Sequence, residues 1–242
     1  MHAITDAIEQ KLDGHFRHYW ADQLYKPIVF ELSRRKSVLE IGAGRNPLFS
    51  QVEIAAGDID YTANDLDAGE LAAMPEDLNS RAFNASGMVP DDCVSRYDFI
   101  FSRMVQEHLP DTLSYYQNLA RMLRPGGIAL NLHPVFFSLP FLINRHLPES
   151  ITEPILYLTR RDRSSSISPK FPAVYDRCLV SERVRESIKR QGFGYVWQRP
   201  FYGHGYYKFA KPIHILQRAY AKFLWQRKLT PFATFCYTVA IK

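Results

Sequence analysis

The chain has 242 residues, of which 46% are hydrophobic and 23% are charged. This length allows one domain, or one domain with a large insertion, and the composition excludes a disordered chain, a collagen and a coiled coil. The net charge of +5 is unevenly distributed. Residues 1–120 carry 10 Lys and Arg against 19 Asp and Glu, whereas residues 121–242 carry 20 against 6. Such an asymmetry points to an anionic partner for the basic half.

The cysteines and the apolar runs do not indicate a secreted or membrane-spanning protein. Cys93, Cys178 and Cys236 are far apart and odd in number, so they predict neither a disulfide framework nor a zinc site. The first 14 residues mix charged residues with few apolar ones, unlike a signal peptide. The most apolar run, residues 135–143, is far shorter than the roughly 20 residues of a membrane-spanning helix. We therefore expect a soluble, cytoplasmic protein.

Strand and helix patterns alternate in the first part of the chain. The pattern predicts strands at residues 37–41, 61–66, 81–84, 97–101 and 128–132. It predicts helices at residues 15–32, 48–56 and 109–123. This alternation favours a parallel α/β sheet with right-handed crossovers.

The alternation ends after residue 133. The second part predicts a helix at residues 180–191, a strand at 194–198, a helix beginning at 212 and a last strand at 232–241. We therefore expect a single domain in which residues 1–34 form a helical cap and residues 35–133 the ligand-binding sheet. Residues 134–178 and 201–230 are expected to be insertions that cover the carboxyl ends of the strands, where ligands bind in such sheets.

A glycine turn follows the first predicted strand. In Glu40-Ile41-Gly42-Ala43-Gly44, the glycines allow a ligand to approach the backbone closely. Pro47 occupies the position where a dinucleotide fingerprint has its third glycine. Asp65, at the end of the second strand, has two carboxylate oxygens that suit a pair of ribose hydroxyls. At this point an NAD site and an adenosyl site are both allowed.

Four segments in order resolve this choice. They are VLEIGAG at 38–44, YTAND at 61–65, YDFIFSRMVQEHL at 97–109 and LRPGG at 123–127. Together they resemble the class I S-adenosylmethionine-dependent methyltransferases over residues 35–133, with a weaker match at 192–193 and in the final strand. The resemblance implies a doubly wound, Rossmann-like sheet of seven mostly parallel strands whose last strand is antiparallel. It also implies S-adenosylmethionine as cofactor and S-adenosylhomocysteine as product.

The resemblance also implies which residues hold this cofactor. Glu40 and the turn of Gly42, Ala43 and Gly44 would hold the methionine end, while Asp65 would bind the ribose hydroxyls. The other implied contacts are Leu66 against the adenine, Ser86 and Gly87 on the adenine side, and the backbone of Ser102 and Arg103 at the cofactor amino group.

Three histidines are candidates for a general base, which a hydroxyl acceptor requires. His133 ends the fifth strand at the edge where the acceptor should lie, and His108 and His204 are the other two. A purely structural role is the alternative for each of them. Glu107-His108 also resembles the metal-binding Glu-x-x-Glu-His pattern of coenzyme-Q-pathway O-methyltransferases. Met104 replaces the first Glu of that pattern, so we predict no metal site.

The second half suggests what the acceptor is. Residues 193–209 contain 8 aromatic residues, which suit a pocket for a small acceptor. The helix after residue 212 has apolar residues on one face, as in a core-facing helix or a helix on a membrane surface.

We predict O-methylation of a small molecule that is anionic, glycan-related or lipid-related, or a secondary metabolite. Small-molecule N-methylation, and an RNA- or membrane-binding protein that keeps only the fold, are the alternatives. Base N-methylation of nucleic acid is disfavoured because residues 102–105 lack the usual Asn/Asp-Pro-Pro-aromatic tetrad.

Overall fold

The computed structural model describes residues 3–12, 21–75, 78–146, 172–207 and 210–242. The helices are α1 (Ala3–Leu12), α2 (Ala21–Ser33), α3 (Gln51–Gly57), α4 (Ala68–Ala72), α5 (Thr112–Met122), α6 (Leu139–His146), α7 (Glu182–Lys189) and α8 (Lys211–Gln226). The strands are β1 (Ser37–Ile41), β2 (Asp60–Asp65), β3 (Ser80–Ala82), β4 (Tyr97–Arg103), β5 (Leu123–Pro134), β6 (Tyr195–Phe201) and β7 (Phe235–Ile241). Short 3₁₀ turns lie at Asp91–Cys93, Gln106–His108 and Thr230–Phe232.

The seven strands form one sheet in the order β3-β2-β1-β4-β5-β7-β6. The pairs from β3 to β5 are parallel, and β7 is antiparallel to both β5 and β6. This is the predicted fold, including the antiparallel last strand. The order reverses between β1 and β4, and the carboxyl ends of the strands beside such a reversal form the usual ligand crevice.

Both faces of the sheet are covered by helices. Every residue of β1 and β7 is buried, because both strands lie inside the sheet and helices pack on each of its faces. One core cluster contains α2 residues such as Tyr25 and Val29 together with Phe99 and Phe101 of β4. A second contains α5 residues, including Tyr116 and Leu119.

The helix after β1 is short, as the sequence suggested. Pro47 precedes it, and α3 begins at a capping box in which the Ser50 amide donates to Glu53 Oε2 over 2.8 Å. The predicted helix at 15–32 is α2, which begins at residue 21 and contains Pro27. Residues 15–20 of that prediction lie outside the described part, as do residues 147–171 of the first predicted cover insertion.

Strand β5 is longer than predicted because the Pro125-Gly126-Gly127 turn is absorbed into it. The register between β4 and β5 shifts between Tyr97 and Phe99, which accommodates the extra residues. Gly126, at φ 77°, donates its amide to the Lys242 carbonyl, and the Lys242 amide donates to Gly127. The Pro-Gly-Gly segment is therefore tied to the end of β7 at the amino edge of β5.

Helix α8 is oriented differently from the core-facing prediction. Its buried residues are Gln217, Ala221 and Leu224, while Leu216 is 70% exposed and Phe223 49%. Ala221 and Leu224 pack in a small cluster with residues such as Val135, Tyr202 and Cys236. The small Ala221 side chain allows the helix to approach this cluster closely, which turns most of its apolar residues outward. Within the described residues, no helix is long and apolar enough to cross a membrane.

Candidate cofactor and acceptor site

The glycine turn lies at the carboxyl end of β1, where the strand order reverses. The amides of Gly42 and Ala43 both donate to the Asn64 carbonyl, over 2.8 and 2.9 Å. Gly42 and Gly44 have φ values of 73° and 54°, a region that side chains other than glycine rarely adopt. A Cβ atom on Gly42 would lie 2.3 Å from Val105 Cγ2. The turn therefore packs directly against the segment that follows β4.

Asp65 faces this turn from the end of β2. Its Oδ2 atom accepts from the Gly44 amide over 2.9 Å, and its Oδ1 atom accepts from the Asp67 amide over 3.0 Å. Each carboxylate oxygen has two lone pairs, so acceptor capacity remains for two further donors. The side chain is partly exposed. This arrangement fits a ribose with two neighbouring hydroxyls.

Glu40 is a buried carboxyl group within β1. Its Oε2 atom accepts from the Leu48 amide over 2.9 Å and from the Tyr61 hydroxyl. Burial raises the pKa of Glu40 to about 6, although these two donors and the positive charge of Arg103 favour the ionised form. Glu40 therefore anchors the loop after the glycine turn and places a negative charge near Arg103.

The backbone at the end of β4 is hydrogen-bonded to a side chain of α2. The Ser102 carbonyl accepts from the Tyr25 hydroxyl over 2.6 Å, and that hydroxyl also lies 3.1 Å from the Leu130 carbonyl. The Ser102 hydroxyl donates to Asn131 Oδ1 over 2.7 Å. Arg103 is exposed at the same edge.

The residues after β3 leave a polar atom without a partner. The Ser86 hydroxyl is buried and has no hydrogen-bond partner among the described residues, although the Ser86 amide donates to Asn84 Oδ1 over 2.9 Å. Buried hydroxyl groups are almost always hydrogen-bonded, so this one is suited to a bound ligand. Leu66 is 66% exposed at the end of β2, where it can cover an apolar ring. The neighbouring Gly87 carbonyl accepts from Asn118 Nδ2 over 2.7 Å.

Together these residues fit S-adenosylmethionine. A carboxylate suits the ribose, the exposed Leu66 and the unpartnered Ser86 hydroxyl suit the adenine, and the opposite charges of Glu40 and Arg103 suit the zwitterionic methionine end. All of them lie at the carboxyl edge of β1 to β4.

His133 occupies the predicted position along β5, but its ring points into the protein. The side chain is fully buried. Nδ1 lies 2.9 Å from the Pro134 carbonyl and must donate to it, so Nε2 accepts from the Thr238 hydroxyl over 2.9 Å. Burial lowers the pKa of His133 to about 4. The geometry thus corrects the sequence-based preference for His133 as general base, because neither ring nitrogen is available to an acceptor.

His204 is also enclosed. It is 5% exposed, its ring packs against Tyr206 and Tyr207, and its Nδ1 atom accepts from the Tyr206 amide over 3.3 Å. Burial, with a smaller contribution from His214, lowers the pKa of His204 to about 4. These contacts give His204 a packing role in the described conformation.

His108 differs from the other two histidines because its side chain is 34% exposed. It lies in the 3₁₀ turn Gln106–His108 after β4, beside the proposed cofactor edge. Its Nδ1 atom is 3.0 Å from the Pro172 carbonyl, and its Nε2 atom is 3.9 Å from Glu107 Oε1. A ring that donates through Nδ1 to a carbonyl leaves Nε2 as the basic nitrogen.

Glu107 is a functional candidate that the sequence did not single out, except as part of an incomplete metal pattern. It is 4% exposed, and its Oε2 atom has no hydrogen-bond partner within the described residues. Burial raises the pKa of Glu107 to about 8. A strongly shifted, unpartnered carboxyl group beside a ligand edge is typical of functional sites. The acidic residue before His108 was visible in the sequence, but its burial was not, because it arises in a fold that brings Val174 and Tyr175, far away in the chain, against the Glu107 backbone.

Comparisons with known proteins show the family to which the chain belongs. Residues 13–151, more than half of the chain, match the family model described as a methyltransferase domain. Methyltransferase str2 of Strobilurus tenacellus is 30% identical over 97 residues, which cover 40% of this chain and 35% of that protein. The match therefore spans only about a third of the length of that curated relative.

Solved structures show the same fold. A SAM-dependent methyltransferase from Archaeoglobus fulgidus is 14% identical, with a TM-score of 0.53 and 91% of each chain covered. The Haemonchus contortus phosphoethanolamine N-methyltransferase 2 in complex with S-adenosyl-L-methionine is 17% identical, with a TM-score of 0.52. That match covers 98% of this chain and 56% of the other. The chain belongs to the methyltransferase domain family and has the fold of the class I S-adenosylmethionine-dependent methyltransferases.

Proposed function

We propose that this protein binds S-adenosylmethionine and transfers its methyl group to a hydroxyl oxygen of a small-molecule acceptor. The observation that supports this most directly is the meeting of the glycine turn with Asp65, where the Gly44 amide lies 2.9 Å from the carboxylate. The basic second half of the chain supports an acceptor that carries negative charge.

The cofactor residues have separate tasks in this proposal. The backbone of Gly42, Ala43 and Gly44 lies along the methionine end, Glu40 faces its ammonium group and Arg103 its carboxylate. Asp65 binds the ribose, and the Leu66, Ser86, Gly87 and Ser102 positions enclose the adenine and the amino end. When bound, the cofactor supplies a methyl group that is already activated by its sulfonium. The protein mainly has to align the acceptor with it.

The base in this proposal is His108, with Glu107 as a positioning residue. His108 Nε2 takes the hydroxyl proton of the acceptor. Ionised Glu107, whose Oε1 lies 3.9 Å from that nitrogen, then stabilises the positive ring. Because the pKa of Glu107 is raised to about 8, turnover is expected to increase as the pH rises towards 8.

The decisive experiment combines calorimetry with a transfer assay. Asp65→Ala should weaken S-adenosylmethionine binding by about tenfold or more, because the ribose loses a charged acceptor. Asp60→Ala, at the other end of β2, is the matched control and should leave the affinity unchanged. Wild-type protein that binds no cofactor, or equal effects of the two variants, would refute the proposed site.

The acceptor atom is tested with methyl-labelled cofactor and a metabolite extract. Mass spectrometry of the labelled product distinguishes an O-methyl from an N-methyl compound. His108→Ala should lower kcat by about a hundredfold for an O-methyl product while cofactor affinity is kept. An N-methylated product, or full turnover in His108→Ala, would contradict the proposed chemistry without contradicting cofactor binding.

A further inference from the structure

Helix α8 presents a mixed apolar and basic surface to solvent. A turn of 3.6 residues places Lys211, Ile215, Leu216, Lys222 and Phe223 on the half of the helix opposite its buried side. All five are exposed, with Leu216 at 70% and Ile215 at 59%. We call this set the outer face of α8.

The outer face is not what attaches α8 to the protein. That attachment uses Gln217, Ala221 and Leu224, which are all buried. The apolar residues Ile213 and Tyr220 border the outer face and are 50% and 38% exposed. Single exposed apolar side chains are ordinary, but a contiguous set on one helix marks an interaction surface.

Further exposed apolar side chains lie outside α8. Phe232, in the 3₁₀ turn after the helix, is 43% exposed, and its ring centroid lies 6.5 Å from that of Phe137. Phe137, in the segment after β5, is 41% exposed and is followed closely by Leu139 at 48%. Exposed apolar side chains therefore also lie beside the carboxyl edge of β5, in the segments that follow β5 and α8 in the chain.

The charge of this region indicates what covers it. The sequence has no Asp or Glu after Glu186. The cations in and just after α8 are Lys211, Arg218, Lys222, Arg227 and Lys228. A second copy of the chain would bring the same cations against them, so self-association through this face is disfavoured. In the part of the chain that the structure describes, α8 itself combines apolar with positively charged side chains, and such a surface complements a layer that is apolar inside and negatively charged at its boundary.

We propose that the outer face of α8 docks the protein on an anionic lipid bilayer. The helix lies in the plane of the interface, with Leu216 and Phe223 among the acyl chains and Lys211 and Lys222 at the phosphate and carboxylate headgroups. Aromatic side chains such as Trp225, which is 41% exposed, favour the same boundary. This inference does not depend on methyl transfer.

The position of α8 gives the docking a direction. β6 ends and β7 begins at the carboxyl edge of β5, where Phe201 and Pro134 both pair with Phe235. Helix α8 lies between β6 and β7 in the chain and is therefore on the same edge as the cofactor residues. A docked protein turns this edge, and not the amino edge, towards the bilayer.

The test is co-sedimentation of the whole chain with vesicles of phosphatidylcholine alone and of phosphatidylcholine mixed with phosphatidylserine. Wild-type protein should bind the mixed vesicles about tenfold more strongly, and high salt should reduce this binding. Leu216→Glu/Phe223→Glu should weaken it by about tenfold. Val52→Glu, on α3 at a site 79% exposed, is the matched control and should bind like wild type.

The basic part of the face has its own pair of variants. Lys211→Gln/Lys222→Gln should weaken binding to the mixed vesicles several-fold, whereas Lys189→Gln/Arg190→Gln on and beside α7 should not. Tryptophan emission should shift to the blue when wild-type protein binds the mixed vesicles, and this shift should be absent in Trp225→Phe. Such a result would support insertion of α8 into the bilayer without relying on a charge change.

Three results would overturn the proposal. One is a wild-type chain that sediments with neither vesicle. Another is a loss of vesicle binding in Val52→Glu that is as large as the loss in Leu216→Glu/Phe223→Glu. The third is a dimer in size-exclusion chromatography that Leu216→Glu/Phe223→Glu converts to a monomer, because a second copy would then cover the face.

Discussion

The two halves of the protein meet at one edge of the sheet, but different interactions determine the structure of each half there. In the first half, backbone amides and short side chains form the proposed cofactor site, as in the contact of Gly44 with Asp65. In the second half, packing of distant residues decides which side chains are exposed, as in the rotation of α8. Features of the first kind are encoded in short sequence motifs. Features of the second kind depend on how the whole chain folds.

The largest expected effect concerns the glycine turn in the first half of the chain, where backbone atoms form the proposed cofactor site. Gly42→Ala adds a Cβ atom 2.3 Å from Val105 Cγ2 at a φ of 73°, so the turn must move. We expect the free energy of unfolding to fall by at least about 3 kcal/mol. The free energy of cofactor binding, measured by calorimetry, should fall by at least about the same amount.

The matched control is Gly126→Ala. Gly126 has nearly the same φ, 77°, but nothing within 4 Å of an added Cβ atom. It should cost about 1 kcal/mol from backbone strain alone and leave cofactor affinity unchanged. Equal losses in both variants would mean that strain, and not the close approach to Val105, governs the turn.

The next effect concerns Glu107, where the two halves touch. Its backbone carbonyl accepts from the amides of Val174 and Tyr175 over 2.7 and 2.9 Å. The folded-state pKa of about 8 lies above the unfolded value of 4.5, so wild-type stability is lost as the pH rises from about 5 to 8. Glu107→Gln removes this dependence and should be more stable by about 3 kcal/mol at pH 8.

Thermal unfolding of wild type and Glu107→Gln across this pH range measures the difference. The same variant should lose the rise in turnover between pH 7 and 8. If the two stability curves run parallel, the carboxyl group is not buried in solution as the structure shows.

The smallest effect tests the buried polar bonds of the second half. Thr238→Val removes the hydroxyl that donates to His133 Nε2 and leaves that nitrogen buried without a donor. We expect a loss of about 1–2 kcal/mol in unfolding free energy, with cofactor affinity and turnover unchanged. A changed pH profile of kcat would instead return His133 to the role of base that the sequence suggested.

The sequence predicted the fold because its signals are local. Buried runs such as residues 37–41 and 97–101 have the length and composition of parallel strands. The glycine turn and Asp65 belong to short motifs, and the structure places them in contact. The length of β5 was underestimated because a Pro-Gly-Gly segment normally ends an element, whereas here a register shift accommodates it.

The side chains of the acceptor edge could not be predicted in the same way. His133 was expected at the edge because it ends a strand, but alternation along the strand decides where its ring points. Glu107 is held through its backbone carbonyl by the amides of Val174 and Tyr175, which lie far away in the chain. On α8 the apolar pattern was recognised, yet it does not reveal that the small Ala221 is on the side that packs.

The bond pair between Lys242 and Gly126-Gly127 has a practical consequence. It fixes the residue after β7 at the amino edge of β5, the side of the sheet remote from the cofactor residues and from α8. A fluorophore or surface linker attached at this amino edge would thus leave both regions unobstructed. Protein immobilised through this position would present its cofactor edge to a supported bilayer or to a flowing solution of candidate acceptors.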